Sequence, residues 1–154
     1  MLENSNGNII QDNIVTNPWV GIALYDNSYY NIVESNKASN CRWGITLIDS
    51  NYNTFRYNTV TDNTFGIKLV SSNNNAIIGN TVTGSNYDGV LLTQDSSNNN
   101  IQGNNITDNT GYGIDLQFSS NLNTITNNDL RFNTDGAYVM DGTSGNNFFN
   151  GNIL

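Results

Sequence analysis

Seven times along the chain a Ser is followed three residues later by Asn, and five residues after that by a second Asn. The Ser column is Ser5, Ser28, Ser50, Ser72, Ser96, Ser120 and Ser144. The first Asn column is Asn8, Asn31, Asn53, Asn75, Asn99, Asn123 and Asn147, and the second is Asn13, Asn36, Asn58, Asn80, Asn104, Asn128 and Asn152. The period is 22 to 24 residues and no column misses a coil. Self-similarity at this period marks a solenoid, in which each repeat is one coil stacked on the last.

Apolar positions fall at fixed offsets inside each coil. Two residues after the first Asn stand Ile10, Val33, Phe55, Ile77, Ile101, Ile125 and Phe149. Two after the second stand Val15, Ala38, Val60, Val82, Ile106, Leu130 and Leu154. A Gly column follows at Gly21, Gly44, Gly66, Gly89, Gly113 and Gly136, and the next residue and the third after it are apolar, as in Ile67 and Leu69. Alternation of this kind has the period of a strand, and β-branched residues suit a pleated surface. No stretch carries helical spacing, and Asn, Ser, Thr and Gly fill the gaps as turn formers. The pattern predicts an all-β, single-stranded parallel β-helix of about six and a half coils, with three short strands per coil and successive coils about 4.8 Å apart. A leucine-rich repeat has a similar period, but it needs clustered Leu and one Asn column, whereas this chain has sparse Leu and two.

Asn suits the corners of such a coil because it tolerates the left-handed backbone region and carries donor and acceptor on one amide. Identical amides stacked at strand spacing can bond the ones above and below, and the two columns are therefore read as Asn ladders with a structural role. Residues 1–154 form one repeat domain with no linker, in register from Ser5 and ending in mid-coil at Leu154. Without capping segments it reads as a piece of a longer protein, or as one that associates end to end through uncapped coils. A net charge of −8 with only five basic residues disfavours nucleic acid, and no apolar run is long enough for membrane insertion. The single Cys41 can form no intrachain disulfide, and Met1-Leu2-Glu3 lacks the features of a signal peptide.

The segments Asn58-Thr59-Val60-Thr61-Asp62-Asn63 through Gly66-Ile67-Lys68-Leu69, and Asn104-Asn105-Ile106-Thr107-Asp108-Asn109 through Gly113-Ile114-Asp115-Leu116, resemble the right-handed parallel β-helix repeat family. The likeness is to NosD-type proteins and to the related carbohydrate-binding and sugar-hydrolase repeat domains. It covers nearly the whole chain through scaffold residues. It implies a right-handed coil, a secreted, cell-surface or periplasmic setting, and association with polysaccharides. NosD-type proteins are linked to copper delivery. Copper favours imidazole, thiolate or thioether ligands, and this chain has no His, one Cys and two Met far apart. No metal site or cofactor is expected, and Ca²⁺ is not indicated.

Coil arithmetic yields candidate carboxylate pairs. Asp26 and Asp49 both stand five residues after a Gly and would be neighbours about 4.8 Å apart, near the carboxyl separation of a retaining glycosidase. Asp62 and Asp108 share a column two coils apart with Gly84 between them, as Asp88 and Asp135 would beside their glycines. Lys68, Asp115 and Tyr138 would share an outward column and could line a cleft. Thirteen acidic residues on a regular scaffold also make chance pairs, and the plain alternative for each is a solvated turn carboxylate. A second set is aromatic: Trp19, Trp43, Phe65, Tyr87 and Tyr112, one in each of five coils around the Gly column. Facing solvent, they would form a ridge for stacking sugar rings with Asp88 as a hydrogen-bond acceptor; alternatively Trp43, Phe65 and Tyr112 fold over the core at a corner. The expected function is an extracellular or cell-surface scaffold that binds a polysaccharide. The alternatives are part of a polysaccharide hydrolase, lyase or epimerase, and a purely structural stacking module.

Overall fold

Each coil contributes one strand to each of three parallel sheets, because its apolar residues come in three short patches separated by turn formers. The computed structural model describes all of residues 1–154 and contains strands and no helix. Sheet 1 stacks Leu2–Glu3, Val20–Tyr25, Trp43–Ile48, Phe65–Val70, Val90–Thr93, Tyr112–Leu116 and Gly136–Met140. Sheet 2 stacks Ile9–Gln11, Ile32–Glu34, Thr54–Arg56, Ala76–Ile78, Asn100–Gln102, Thr124–Thr126 and Phe148–Asn150. Sheet 3 stacks Ile14–Thr16, Lys37–Ser39, Thr59–Thr61, Thr81–Thr83 and Asn105–Thr107, and continues through single bridges at Asp129 and Ile153. The fold is a parallel β-helix.

Like sits over like. Ile45 pairs with Ile22 and Ile67, Phe55 with Val33 and Ile77, and Val82 with Val60 and Ile106. These inward columns form one core of 19 buried residues, each contributing about 1.5–3 kcal/mol through the water it leaves. Both Asn ladders run without a break: each side-chain oxygen accepts from the preceding coil, as Asn75 Oδ1 does from Asn53 N at 2.8 Å. The Ser column adds hydroxyl acceptors, for example Ser72 Oγ to Ser50 N at 3.2 Å.

A third ladder occupies the corner between sheets 3 and 1, and the repeat columns had not revealed it. Its members are Cys41, Asn63, Ser85, Asn109 and Asn133. Asn63 Oδ1 accepts from Cys41 N at 2.8 Å, and Asn133 Oδ1 from both N and Nδ2 of Asn109 at 3.0 and 2.9 Å. Ser85 is the defect in it: its hydroxyl is buried without a partner, because it is too short to reach where an amide would. The Gly column lies beside this corner, against a carbonyl of the next coil and, in three coils, against the corner amide. A Cβ on Gly44, Gly89 or Gly113 would stand 2.7–2.9 Å from the Nδ2 of Asn63, Asn109 or Asn133.

One register differs from the repeat arithmetic. Tyr112 pairs with Gly136, Ile114 with Tyr138 and Leu116 with Met140. Ala137, not Gly136, therefore stands over Gly113, and Tyr138 and Met140 replace Ala137 and Val139 on the inward side. Ala137 lies 24 residues after Gly113, the same step as from Asn109 to Asn133. The corner amide sets the register, and the glycine beside it does not.

In all three corners the residue just before the ladder residue takes a left-handed conformation. Tyr30 and Tyr52 precede the first ladder, Tyr57 the second, and Asp62, Asp108 and Phe132 the third, with φ between 56° and 63°. Such a conformation costs an L residue about 1–2 kcal/mol, which the ladder bonds offset. It also turns the side chain outward, and so these aromatic rings are exposed.

Candidate functional site

The outer face of sheet 1 carries an extended group of aromatic and charged side chains that the fold brings together. The residue after a Gly of the column enters the core, as Ile45, Ile67 and Ile114 do. Trp43, Phe65 and Tyr112, each just before its Gly, are half-buried, and none of them belongs to the core.

Two adjacent columns supply the rings, Trp43 and Phe65 in one and Trp19 and Tyr87 in the next. Trp19 meets Trp43 edge to face with centroids 6.4 Å apart, and Phe65 stacks on Tyr87 at 4.9 Å and 14°. Tyr112 is set off from these four, because Asp88 occupies its column in the intervening coil. Two cations lie on the ridge. The Arg42 guanidinium is 4.4 Å from the Trp19 ring and 5.4 Å from Trp43, and Lys68 Nζ is 5.3 Å from Trp43 and 5.8 Å from Phe65. Burial lowers the Lys68 pKa, and the charge of Arg42 lowers it further. Beside the rings a cleft of about 700 Å³ is lined by Trp19, Cys41, Arg42, Asp62, Phe65 and Tyr87, among others. Cys41 is buried there, its thiol pushed up by burial.

Further along the same face the charge changes sign. Asp115 follows Lys68 and Leu91 in the outward column and is buried at 5% exposure. Burial first, and then the charges of Asp88 and Asp141, push its carboxyl up to about 6, against an opposing hydrogen bond from Gln117 Nε2. Asp88 is also raised by burial, although its Oδ1 accepts from Tyr112 N at 2.9 Å. Because folding raises Asp115, its contribution to stability is full below its ordinary value of 3.8 and lost as pH rises through about 6. Above that pH the ionised group costs about 1–2 kcal/mol, allowing for solvent on its open side. Asp115→Asn is therefore expected to raise the melting temperature by roughly 3–6 °C at pH 7.5 and to leave it unchanged at pH 3.5. Equal melting curves at both pH values would contradict this assignment.

The other expected residues are dispersed. Asp26 and Asp49 are neighbours as the spacing implied, but both are exposed in a left-handed turn after sheet 1. Asp62 and Asp108 occupy the left-handed column of the third corner with Gly84 between them, and both are exposed. Asp88 and Asp135 do not share a column: Asp88 lies opposite Tyr112 and then Gly136, owing to the longer last step. Tyr138 does not line a cleft with Lys68 and Asp115. It sits on the inner side and stacks on Phe149 at 4.2 Å, and Val139 takes the outward place. Arg42 is the residue that column arithmetic overlooked. It stands over Trp19 one coil on, and its position just before Trp43 was the available signal.

Soft and nitrogen donors do not converge anywhere. The chain has no His, Cys41 is buried alone, Met1 and Met140 lie at opposite ends of the stack, and no three Cys, Asp or Glu are grouped to hold an ion.

Comparison with solved structures places the same fold in the periplasmic alginate epimerase AlgG. Its structure superposes with a TM-score of 0.76 at 19% identity, over 98% of this chain and 45% of the epimerase. A double mutant of that enzyme gives 0.86 at 17% identity, over 99% of this chain and 47% of the epimerase. The chain thus spans somewhat under half the length of AlgG, and at this identity the likeness is one of fold. No curated protein matches the sequence. The family described as periplasmic copper-binding protein (NosD) matches residues 1–154, and the chain belongs to that family.

Proposed function

We propose that this chain is an extracytoplasmic β-helix whose sheet 1 face binds a polysaccharide. The observation that carries the reading is the ridge of Trp19, Trp43, Phe65 and Tyr87, four rings in mutual or adjacent contact on the outside of a rigid rod. Sugar rings present apolar C–H faces, and amphipathic aromatics that stay half-exposed beside hydrogen-bonding groups suit them. The setting agrees with the names of the NosD family and of AlgG, both periplasmic, and AlgG acts on a polysaccharide, alginate. Copper binding is not extended to these residues, because the donors present do not fit that ion.

The test is a panel of neutral and acidic polysaccharides, titrated by intrinsic fluorescence and by affinity electrophoresis. At least one polymer is expected to bind, and Trp19→Ala and Phe65→Ala should each weaken it by about tenfold or more, as loss of a stacked ring does. Tyr52→Ala, an exposed tyrosine on a different corner, should leave binding unchanged. Absence of binding across the panel, or full affinity in the ridge variants, would refute the reading. A catalytic alternative is favoured by one observation, the raised carboxyl of Asp115 on the same face, which could donate a proton near neutral pH. Product formation from a bound polymer, abolished by Asp115→Asn, would establish it.

A further inference from the structure

We infer that the ridge selects carboxylated polysaccharides, of the polyuronate class, by seating a sugar carboxylate between Arg42 and Lys68. This rests on the polysaccharide-binding reading above and narrows it.

The chain carries five cations in all, against thirteen acidic residues. Arg56 is paired with Glu34 at 2.6 Å, and Arg131 with Asp129 at 2.7 Å. Lys37 is exposed on sheet 3, on another side of the rod. The remaining two, Arg42 and Lys68, are brought to the same aromatic group from neighbouring coils, 5.4 and 5.3 Å from the Trp43 ring centroid. No carboxylate of the protein lies within ion-pair distance of either. Two like charges are thus held close together, one of them half-buried, in a protein that otherwise has an acid to spare for every base. Their mutual repulsion is relieved by an anion placed between them, and Asp62, the one carboxylate in the lining of the cleft, pairs with neither.

The form of the groups narrows the anion. A guanidinium presents parallel N–H donors that match a carboxylate, and an ammonium adds a point charge without directional demand. Trp19, Trp43, Phe65 and Tyr87 surround these cations with apolar ring faces, so the ligand must offer an anion and a flat apolar face within one small unit. A uronate residue has both: its carboxylate is fixed to a pyranose ring whose C–H face can stack. The cleft beside Arg42 gives the polymer room to continue. Asp88, beside Tyr87, and Asp115 stand on the same face one and two coils beyond Lys68, and their charge favours an anion on the Arg42 side of the ridge, toward Trp19.

The experiment uses polygalacturonate and polymannuronate, each beside its methyl ester, so that the backbone is constant and only charge differs. Trp19 and Trp43 are the only two tryptophans of the chain, and both lie on the ridge, so fluorescence reports this site directly. At least one acid polymer is expected to bind about tenfold or more tightly than its ester at low salt, the scale of one charge-assisted contact. The preference should fall as NaCl is raised to half-molar. The double variant Arg42→Gln/Lys68→Gln, checked for unchanged circular dichroism, should bring acid and ester within about twofold of each other. Lys37→Gln should leave the preference intact. Equal affinity for acid and ester in the native protein, or a preference that survives the double variant, would overturn the inference while leaving polysaccharide binding standing. Failure of acids and esters together with every neutral polymer would overturn both.

Discussion

Asn80→Asp is expected to destabilise the protein by about 4 kcal/mol at pH 7.5 and to be partly rescued by acid, although it changes a single atom of the side chain. Asn80 sits in the middle of the second ladder, 1% exposed. Its Oδ1 accepts from the N and Nδ2 of Asn58, both at 2.9 Å. Its Nδ2 donates to Phe55 O at 2.9 Å and Asn104 Oδ1 at 3.0 Å, with Ile78 O at 3.3 Å. The substituted carboxylate keeps the two accepted bonds but turns its second oxygen toward three other oxygens. It loses the donor and buries a charge among acceptors, where no water can reach it. A proton on that oxygen restores one donated bond, and folding therefore raises the carboxyl far above its ordinary range. The folded variant then binds more protons than its unfolded chain at mildly acid pH, and its stability rises as pH falls. The urea midpoint, compared with that of the native protein, should accordingly recover in part between pH 7.5 and pH 4.5. Asn74→Asp, at an exposed left-handed position of the first corner, should change stability by less than about 0.5 kcal/mol. A midpoint for Asn80→Asp equal to the native one at pH 7.5 would mean that the ladder amides are not the donors described.

That residue's neighbourhood was readable from spacing alone, because a stacked amide forces the same residue into every coil and leaves an unbroken column. The third corner left no such trace. Pro18, Cys41, Asn63, Ser85, Asn109 and Asn133 follow one another there, and a mixed column does not announce a ladder even where its amides form one. The left-handed positions were hidden for a related reason. Tyr30, Tyr52, Leu122 and Phe132 fill places where Gly, Asn or Asp would have been a signal, since stacking bonds on either side hold the backbone whatever the residue prefers. In sheet 1 the glycines predicted the register as far as Ile114 and then misled by one residue at Gly136, where the amide of Asn133 decides. At the candidate site the rings were found because they recur once per coil. The meeting of Arg42 with Lys68 at Trp43 is diagonal between coils, and comparison within columns cannot find diagonals. Nor could it show that Asp115 is buried, because it lies on the face that alternation assigns to solvent.

Gly66→Ala carries the other large expected effect, about 3 kcal/mol or more of lost stability, with the soluble protein reduced or absent on expression. Gly66 is not in the left-handed region, so backbone preference is not its purpose. An added Cβ would lie 2.3 Å from Gly89 O, 3.2 Å from Gly89 C and 2.4 Å from Val82 Cγ1. The valine methyl can rotate away, whereas the carbonyl cannot. Gly89 O already accepts from Ile67 N at 2.8 Å, and Gly66 N donates to Asp88 O at 3.2 Å, so the two coils are clamped together where the methyl would enter. Making room means parting the coils and losing sheet bonds on both sides, in a rod where each coil is held only by its neighbours. The mechanism has a discriminating test. Val82→Ala removes one of the two obstacles, yet it should not rescue Gly66→Ala and should add its own cavity cost of about 1–2 kcal/mol. Gly142→Ala, with no atom within 4 Å of its added methyl, should fold and melt like the native protein. Recovery of the Gly66→Ala melting temperature by Val82→Ala would show that the side-chain contact had been the obstacle. The glycine column would then exist to fit the core, and the close stacking of one coil's backbone on the next would not be its cause.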